Sequence, residues 1–325
     1  MDWQFTTETF DSLSPYWQTL QDKSQASFVF SSLEWSRVWW QHFGLGTDLY
    51  LGTVRCKGRT IGIAPLQVKG NVASFIGSSD VCDYLDFIVE TGRQVDFFSI
   101  LLDNLMEKGI VQLNLASLRP DSAVLNSLED IAHLQGWQVS CSREDVSMEL
   151  DLPGTWEEYL GSLTQKQRHE LKRKLRRLAE IGTINYRIVT EANPGDMDIF
   201  LKLFRESRQD KAAFLTPEME SFFRSLASAM AEQQLLRLSI LEIGVSPVAA
   251  TMSFDYKDAV YLYNSGYDTD YGWLSVGLIS KALCIKDSIQ RGRRRFDFLR
   301  GGEAYKYHLG GHELPVYNCS ITFVA

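Results

Sequence analysis

Long apolar runs are missing from this 325-residue chain. Runs such as 61–66 and 239–243 fall far short of the roughly eighteen residues that cross a bilayer, so no transmembrane helix is expected. Cysteine is scarce and scattered. Cys56, Cys82, Cys141, Cys284 and Cys319 are odd in number and nowhere two residues apart, which suggests neither a zinc site nor a disulfide frame. The histidines are as dispersed. His308 and His312 stand four apart, but Leu309-Gly310-Gly311 between them is a poor helix for presenting two ligands, so no metal is expected. The start, Met1-Asp2-Trp3-Gln4-Phe5, has no basic stretch followed by an apolar run. It does not read as a secretory signal, and a cytoplasmic protein is expected. Cations are outnumbered, with a net charge of -8, which opposes general nucleic-acid binding and DNA binding in particular. Only a local basic patch could hold a polyanion.

What remains is ordinary globular material. The chain is 45% hydrophobic and 23% charged, enough for a substantial core, and its length favours two domains, divided near 154/155. Periodicity predicts strand 3–7, helices near 10–22 and 33–43, strands 49–56 and 60–68, and a broken extended segment over 72–89. Lys57-Gly58 supplies a tight turn between the first two of those later strands. Helix 94–108, strand 110–115, helix 121–135 and strands 138–141 and 146–150 complete the first half. After a connecting helical region, 156–181, the order returns: strand 184–190, helices 195–208 and 217–233, and strands 236–243, 248–256 and 259–266. Helix 276–290, strand 295–299 and closing strand 316–323 follow. The pattern predicts a structural duplication of the α/β (α+β) class, each copy a mixed sheet with flanking helices.

In each copy a loop leads into a long helix whose first amides and dipole make an anion site. The second copy reads Gly272-Trp273-Leu274-Ser275-Val276-Gly277-Leu278 there, where Ser275 can cap and Gly277 allows close approach of a phosphate. The first reads Glu90-Thr91-Gly92-Arg93, whose carboxylate would repel a phosphate. Donor binding is therefore assigned to the second copy. The densest charge lies at 165–178, where Leu171, Leu175 and Leu178 share one helix face and the basic side chains cover the others. That run is either a solvated surface or a contact for a phosphorylated donor, a lipid-linked acceptor or tRNA. A second basic cluster, Arg291, Arg293, Arg294 and Arg295, suits a helix C-terminus without any ligand.

The order of elements and the tail Phe296-Asp297-Phe298-Leu299-Arg300-Gly301-Gly302-Glu303-Ala304-Tyr305-Lys306-Tyr307-His308-Leu309-Gly310-Gly311 resemble the GNAT superfamily. More narrowly, the chain resembles the two-domain CelD/BcsL-like acetyltransferases, relatives of the FemAB peptidoglycan aminoacyltransferases. The likeness is strongest over 163–311, and the first half contributes mainly 77–86. The superfamily's phosphate signature is met in part, by Gly272, Ser275 and Gly277. The resemblance implies tandem GNAT-like domains, 1–154 with a degenerate donor site and a role in acceptor recognition, and 155–325 with donor binding and catalysis. It implies direct acyl transfer, most simply of acetyl from acetyl-CoA or another acyl-CoA, to an amine or hydroxyl of a small molecule, sugar or cell-envelope precursor. Two alternatives stay open: transfer from aminoacyl-tRNA, as in the FemAB relatives, and a non-catalytic adaptor beside polysaccharide synthesis.

Tyr305 and Lys306 are the expected catalytic pair, with Asp268 and Glu303 as candidates for the acceptor's proton and Ser275, Val276, Gly277 and Leu278 on the donor. Asp83, Tyr84 and Asp86 are expected to face the acceptor. Each has a structural alternative. Tyr305 could cap the core, Lys306 could be a solvated charge, Asp268 could shape a turn, and Glu303 could pair with Arg300. Asp83, Tyr84 and Asp86 could form a polar strand edge around a core tyrosine.

Overall fold

Alternating apolar residues and tight turns build two units, seen in a computed structural model that describes residues 2–24 and 27–323. One unit comprises residues up to 146 together with the segment from 314 onward; the other comprises 147–313.

The first unit runs β1 (Trp3–Glu8), α1 (Phe10–Gln21), α2 (Leu33–Phe43), β2 (Asp48–Cys56), β3 (Arg59–Lys69), β4 (Val72–Phe75), β5 (Ile88–Val89), α3 (Gln94–Glu107), β6 (Gln112–Leu118), α4 (Glu129–Leu134) and most of β7 (Gln138–Asp151). Strands β1 to β4 are antiparallel neighbours, and β4 pairs in parallel with β6. Positive φ at Lys57 (50°) and Gly58 (76°) forms the tight turn that the dipeptide predicts. The segment 72–89 is two short strands separated by a loop. The strands expected at 138–141 and 146–150 are one continuous β7.

The second unit begins with residues 147–151 of β7 and continues through α5 (Trp156–Ser162), α6 (Gln165–Ala179), β8 (Ile184–Val189), α7 (Pro194–Ser207), α8 (Gln209–Phe214), α9 (Pro217–Glu232), β9 (Leu236–Ile243), β10 (Ser246–Tyr256), β11 (Ala259–Tyr267), α10 (Val276–Gln290), β12 (Arg295–Arg300) and α11 (Ala304–His308). The topology of the first unit returns. Strands β8 to β11 are antiparallel neighbours and β11 pairs in parallel with β12. The final strand, β13 (His312–Thr322), does not close the second unit. From Leu314 onward it belongs to the first, where Tyr317 and residues 319–322 pair with β6.

That return explains a correction. Cys141 and Cys319 form a disulfide between β7 and β13, although their 178-residue separation hid the pairing from the sequence. Cys56, Cys82 and Cys284 are in no disulfide, and Cys82 Sγ accepts from the Trp35 indole N–H at 3.2 Å. No helix among the described residues is long and apolar enough to cross a membrane, and no group of three His, Cys, Asp or Glu could hold a metal.

In the second unit, β11 has two distinct faces, as the alternation of a strand requires. Val260 and Leu262 pack with Ala282, Ile285 and Ile289 of α10, whereas Tyr263 meets Phe223 of α9 and Phe254. Gly266 lets α7 rest on the strand, since a Cβ there would lie 2.2 Å from the Phe204 amide nitrogen.

Candidate functional site

The strands β11 and β12 separate after a short ladder. The β11–β12 ladder comprises 259–261 and 295–297, and β11 runs on beyond it to Tyr267. The register fixes where their polar groups point. Asp268 N–H donates to Val248 C=O, so residues 248 and 268 form a hydrogen-bonded pair and 251 and 265, three steps along, do not. Ser265 C=O is therefore turned toward β12. On the other side of the gap, β12 bends through Leu299 (φ 64°), whose amide donates to the buried Asp297 carboxylate at 2.8 Å.

Lysines occupy both margins. Lys306, 2% exposed, donates from Nζ to Leu299 C=O at 2.9 Å, Arg300 C=O at 2.6 Å and Gly301 C=O at 3.0 Å, and pairs with Glu303 at 2.9 Å. Its three protons are thus committed to holding the turn after β12. Gly301 has φ 100°, and a Cβ there would meet Glu303 Oε2 at 2.7 Å. The glycine makes room for the carboxylate at the α11 N-terminus. Burial lifts the Glu303 carboxyl, but the Lys306 charge and hydrogen bond outweigh it and hold the group below its ordinary range.

On the α7–α9 side, Lys211 Nζ donates to Ser265 C=O and lies 4.8 Å from the Phe204 ring centroid. On the α10 side, Lys281, 6% exposed, donates to Gly277 C=O at 2.9 Å and sits 4.7 Å above the Tyr305 ring. Burial, then the neighbouring Lys211 charge, lowers Lys281 to about 7, and burial followed by Arg208 lowers Lys211 to about 8. Tyr305 packs edge-on to Phe298, and burial with the Glu303 charge raises its phenol well above the usual value. It remains a proton donor at ordinary pH.

Tyr305, Lys306 and Glu303 therefore come together, joined by Lys211 and Lys281, which the sequence reading missed. One signal was available: Lys281 is the single charged residue in the stretch Ile279-Ser280-Lys281-Ala282-Leu283-Cys284-Ile285 of α10. Lys211 gave none, being one exposed-looking lysine in a helix of six residues. Asp268 lies elsewhere, at the start of the 3-10 turn Thr269–Leu274, accepting from the Asp270 amide at 2.9 Å. That is the turn-shaping role.

The start of α10 corrects two expectations. Ser275 stands at the cap position with φ 59°, but its side chain makes no cap bond; its hydroxyl accepts from Lys174 Nζ of α6 at 2.7 Å. Its left-handed backbone does not give the hydroxyl the extended cap geometry. Gly277 does not open the backbone to a phosphate, because a Cβ there would meet the Tyr267 ring at 2.8 Å. Val276 is buried, and Leu278 reaches a groove of about 1030 Å3 with α6 along one wall and His308 and Leu309 on the other.

Helix α6 starts with a Thr164–Gln167 capping box and buries Leu171 and Leu178. Several of its cations have local partners: Arg173 and Lys174 hold Glu170, and Arg177 stacks on Trp273. Lys166 and Lys172 are exposed and face solvent. In the second basic cluster, Arg291 and Arg293 pair with the buried Asp255 carboxylate, and Arg295 reaches Glu149 at 3.5 Å.

Within the first unit, Tyr84 and Asp86 are 0% and 2% exposed, which corrects the expectation that they face an acceptor. The Tyr84 ring is enclosed by Phe28, Phe30 and the Arg119 guanidinium. Asp86 accepts from the Phe87 amide at 2.9 Å and the Ala123 amide at 2.8 Å, so it caps the helical turn that opens there. Asp83 is half-buried. At the start of α3, Glu90 is held by Arg59 at 2.7 Å.

Residues 165–307 match the family described as Acetyltransferase (GNAT) domain. Residues 165–307 thus carry a GNAT domain, which makes the chain an acyltransferase, and its overall fold is that of tandem GNAT-like units. FemX has the same fold, with a TM-score of 0.71 at 10% identity over 97% of this chain and 96% of that one. The C-terminal DUF2156 domain of a putative lysylphosphatidylglycerol synthetase from Agrobacterium fabrum gives 0.60 at 11% identity, over 96% and 92% of the two chains. A tandem GNAT protein from the clavulanic acid biosynthesis pathway gives 0.52 at 13% identity over all of both chains. No curated protein sequence matches the chain.

Proposed function

We propose that the second unit transfers an acyl group from an acyl-CoA, acetyl in the simplest case, to an amine or hydroxyl at the gap between β11 and β12. The observation that carries this reading is the gap itself, with the half-buried Tyr305 and the β12-side edge of β11 at its margins. An extended thioester donor can lie along β11 while its phosphates rest near Ser275, Lys174 and the cationic wall of α6. The acceptor nitrogen or oxygen attacks the thioester carbonyl, the new bond forms as C–S breaks, and the Tyr305 hydroxyl donates a hydrogen bond to the sulfur, which departs as thiolate. Glu303, held acidic by Lys306, is a weak base; it takes the acceptor's proton only after attack has made that proton acidic. Lys306 acts by fixing the turn that carries Glu303 and Tyr305. The CelD/BcsL-like branch is the narrower placement that the tail residues favour.

A second reading, transfer from aminoacyl-tRNA, is favoured by one observation, the length of the groove along α6 from Thr164 to Arg176 with its row of cations. Thermal melting separates the two. A shift with acetyl-CoA and free CoA supports the first reading, and a shift with aminoacyl-tRNA alone replaces it by the second.

A further inference from the structure

The charges around the gap do not balance. Lys306 and Glu303 neutralise each other at 2.9 Å, and Arg208 and Asp210 do the same at 2.7 Å. Lys211 and Lys281 are left over. Each makes a single hydrogen bond, to a backbone carbonyl, and each lies against an aromatic face, so two N–H groups on each ammonium are unspent. They approach from opposite faces of β11, one from α8 and one from α10, and the Lys211 charge is felt at Lys281. Lys281 is buried and Lys211 half-buried, and an ammonium withdrawn from water without an anion is costly.

We propose that Lys211 and Lys281 jointly receive a carboxylate, carried either by the acyl group or by the acceptor, at the opening between β11 and β12. This deepens the acyl-transfer reading and rests on it for the identity of the donor. Burial holds both ammoniums well below the ordinary lysine range, and Lys306, Glu303, Tyr305, Cys284, Arg208 and Asp210 are the other ionisable groups around them. A bound carboxylate offsets their repulsion and raises both. Binding therefore takes up protons from solution, which a purely structural pair of lysines would not do.

Titration calorimetry at pH 8, in two buffers of different ionisation enthalpy, tests this. Succinyl-CoA is compared with butyryl-CoA, and β-alanine with β-alaninamide in the presence of CoA. One of the two carboxylates should bind at least about tenfold more tightly than its neutral counterpart, as charge-assisted hydrogen bonds do, with net proton uptake. A preference for succinyl-CoA assigns the carboxylate to the acyl group, and a preference for β-alanine assigns it to the acceptor. Lys281→Met and Lys211→Met should abolish the preference, and Lys281→Arg, which keeps the charge, should retain part of it. Circular dichroism establishes that each variant is folded. Equal affinities within both pairs, or a preference that survives both methionine substitutions, overturns the proposal. Failure of butyryl-CoA and CoA to bind at all counts against the acyl-CoA reading instead, and the β-alanine pair, repeated without CoA, then decides the carboxylate site.

Discussion

Lys306→Met removes an ammonium whose protons are fully committed within the fold. The methionine keeps the buried stem but leaves the carbonyls of Leu299, Arg300 and Gly301 without their donor and Glu303 without its partner. The Leu299 bond is buried; the other two are partly solvated and can turn to water. One buried acceptor left bare costs about 1–3 kcal/mol, and the partly covered bonds and ion pair add roughly one more, giving about 2–4 kcal/mol. For a cooperative unit of this size that lowers the melting temperature by roughly 4–16 °C. Differential scanning calorimetry reads the shift, and urea titration checks that the slope is unchanged. A loss below about 0.5 kcal/mol with turnover strongly reduced would refute the anchoring role and make Lys306 a group that acts on substrate.

Tyr305→Phe should lower kcat by about tenfold or more with little change in donor affinity, because the phenol acts on the leaving group in the transition state; steady-state kinetics at saturating donor checks this. Burial raises the Asp86 carboxyl to about 7. Between about pH 4 and pH 7 the folded chain then holds a proton that the unfolded chain has lost, so stability falls as pH rises through that window. Asp86→Asn should flatten this fall in denaturation midpoints, and an unchanged slope would contradict the assignment. Cys141→Ser should lower stability by about 2–5 kcal/mol under non-reducing conditions and change nothing once reductant is present. Lys281, lowered to about 7, makes the folded chain bind fewer protons than the unfolded one between that pH and about 10.5, so stability should rise with pH there; the rise should vanish in Lys281→Met.

Local features were legible where local chemistry decides them. Lys57-Gly58 marked its turn, the α10 boundaries followed from periodicity, and the repeated order of strands and helices announced the duplication. Features set by distant chain segments were not. The return of β13 to β6, and with it the Cys141–Cys319 bond, depends on pairing that no periodicity records. The tail motif pointed to Tyr305, Lys306 and Glu303, but not to the three carbonyls that occupy Lys306. Tyr84 and Asp86 were expected to face an acceptor from their place in the chain; a helix start and an aromatic cage enclose them. Gly277 looked like an opening, and the Tyr267 ring fills it.

The central claim is that a thioester donor lies along the edge of β11 beyond its short ladder with β12, and along the start of α10. Hydrogen exchange read by mass spectrometry, with and without acetyl-CoA, tests it most directly. The account predicts slowed exchange at 262–267 and 275–280, together with the turn at 299–306. Slowing confined to residues of the first unit, or none in these segments at saturating acetyl-CoA, would contradict it.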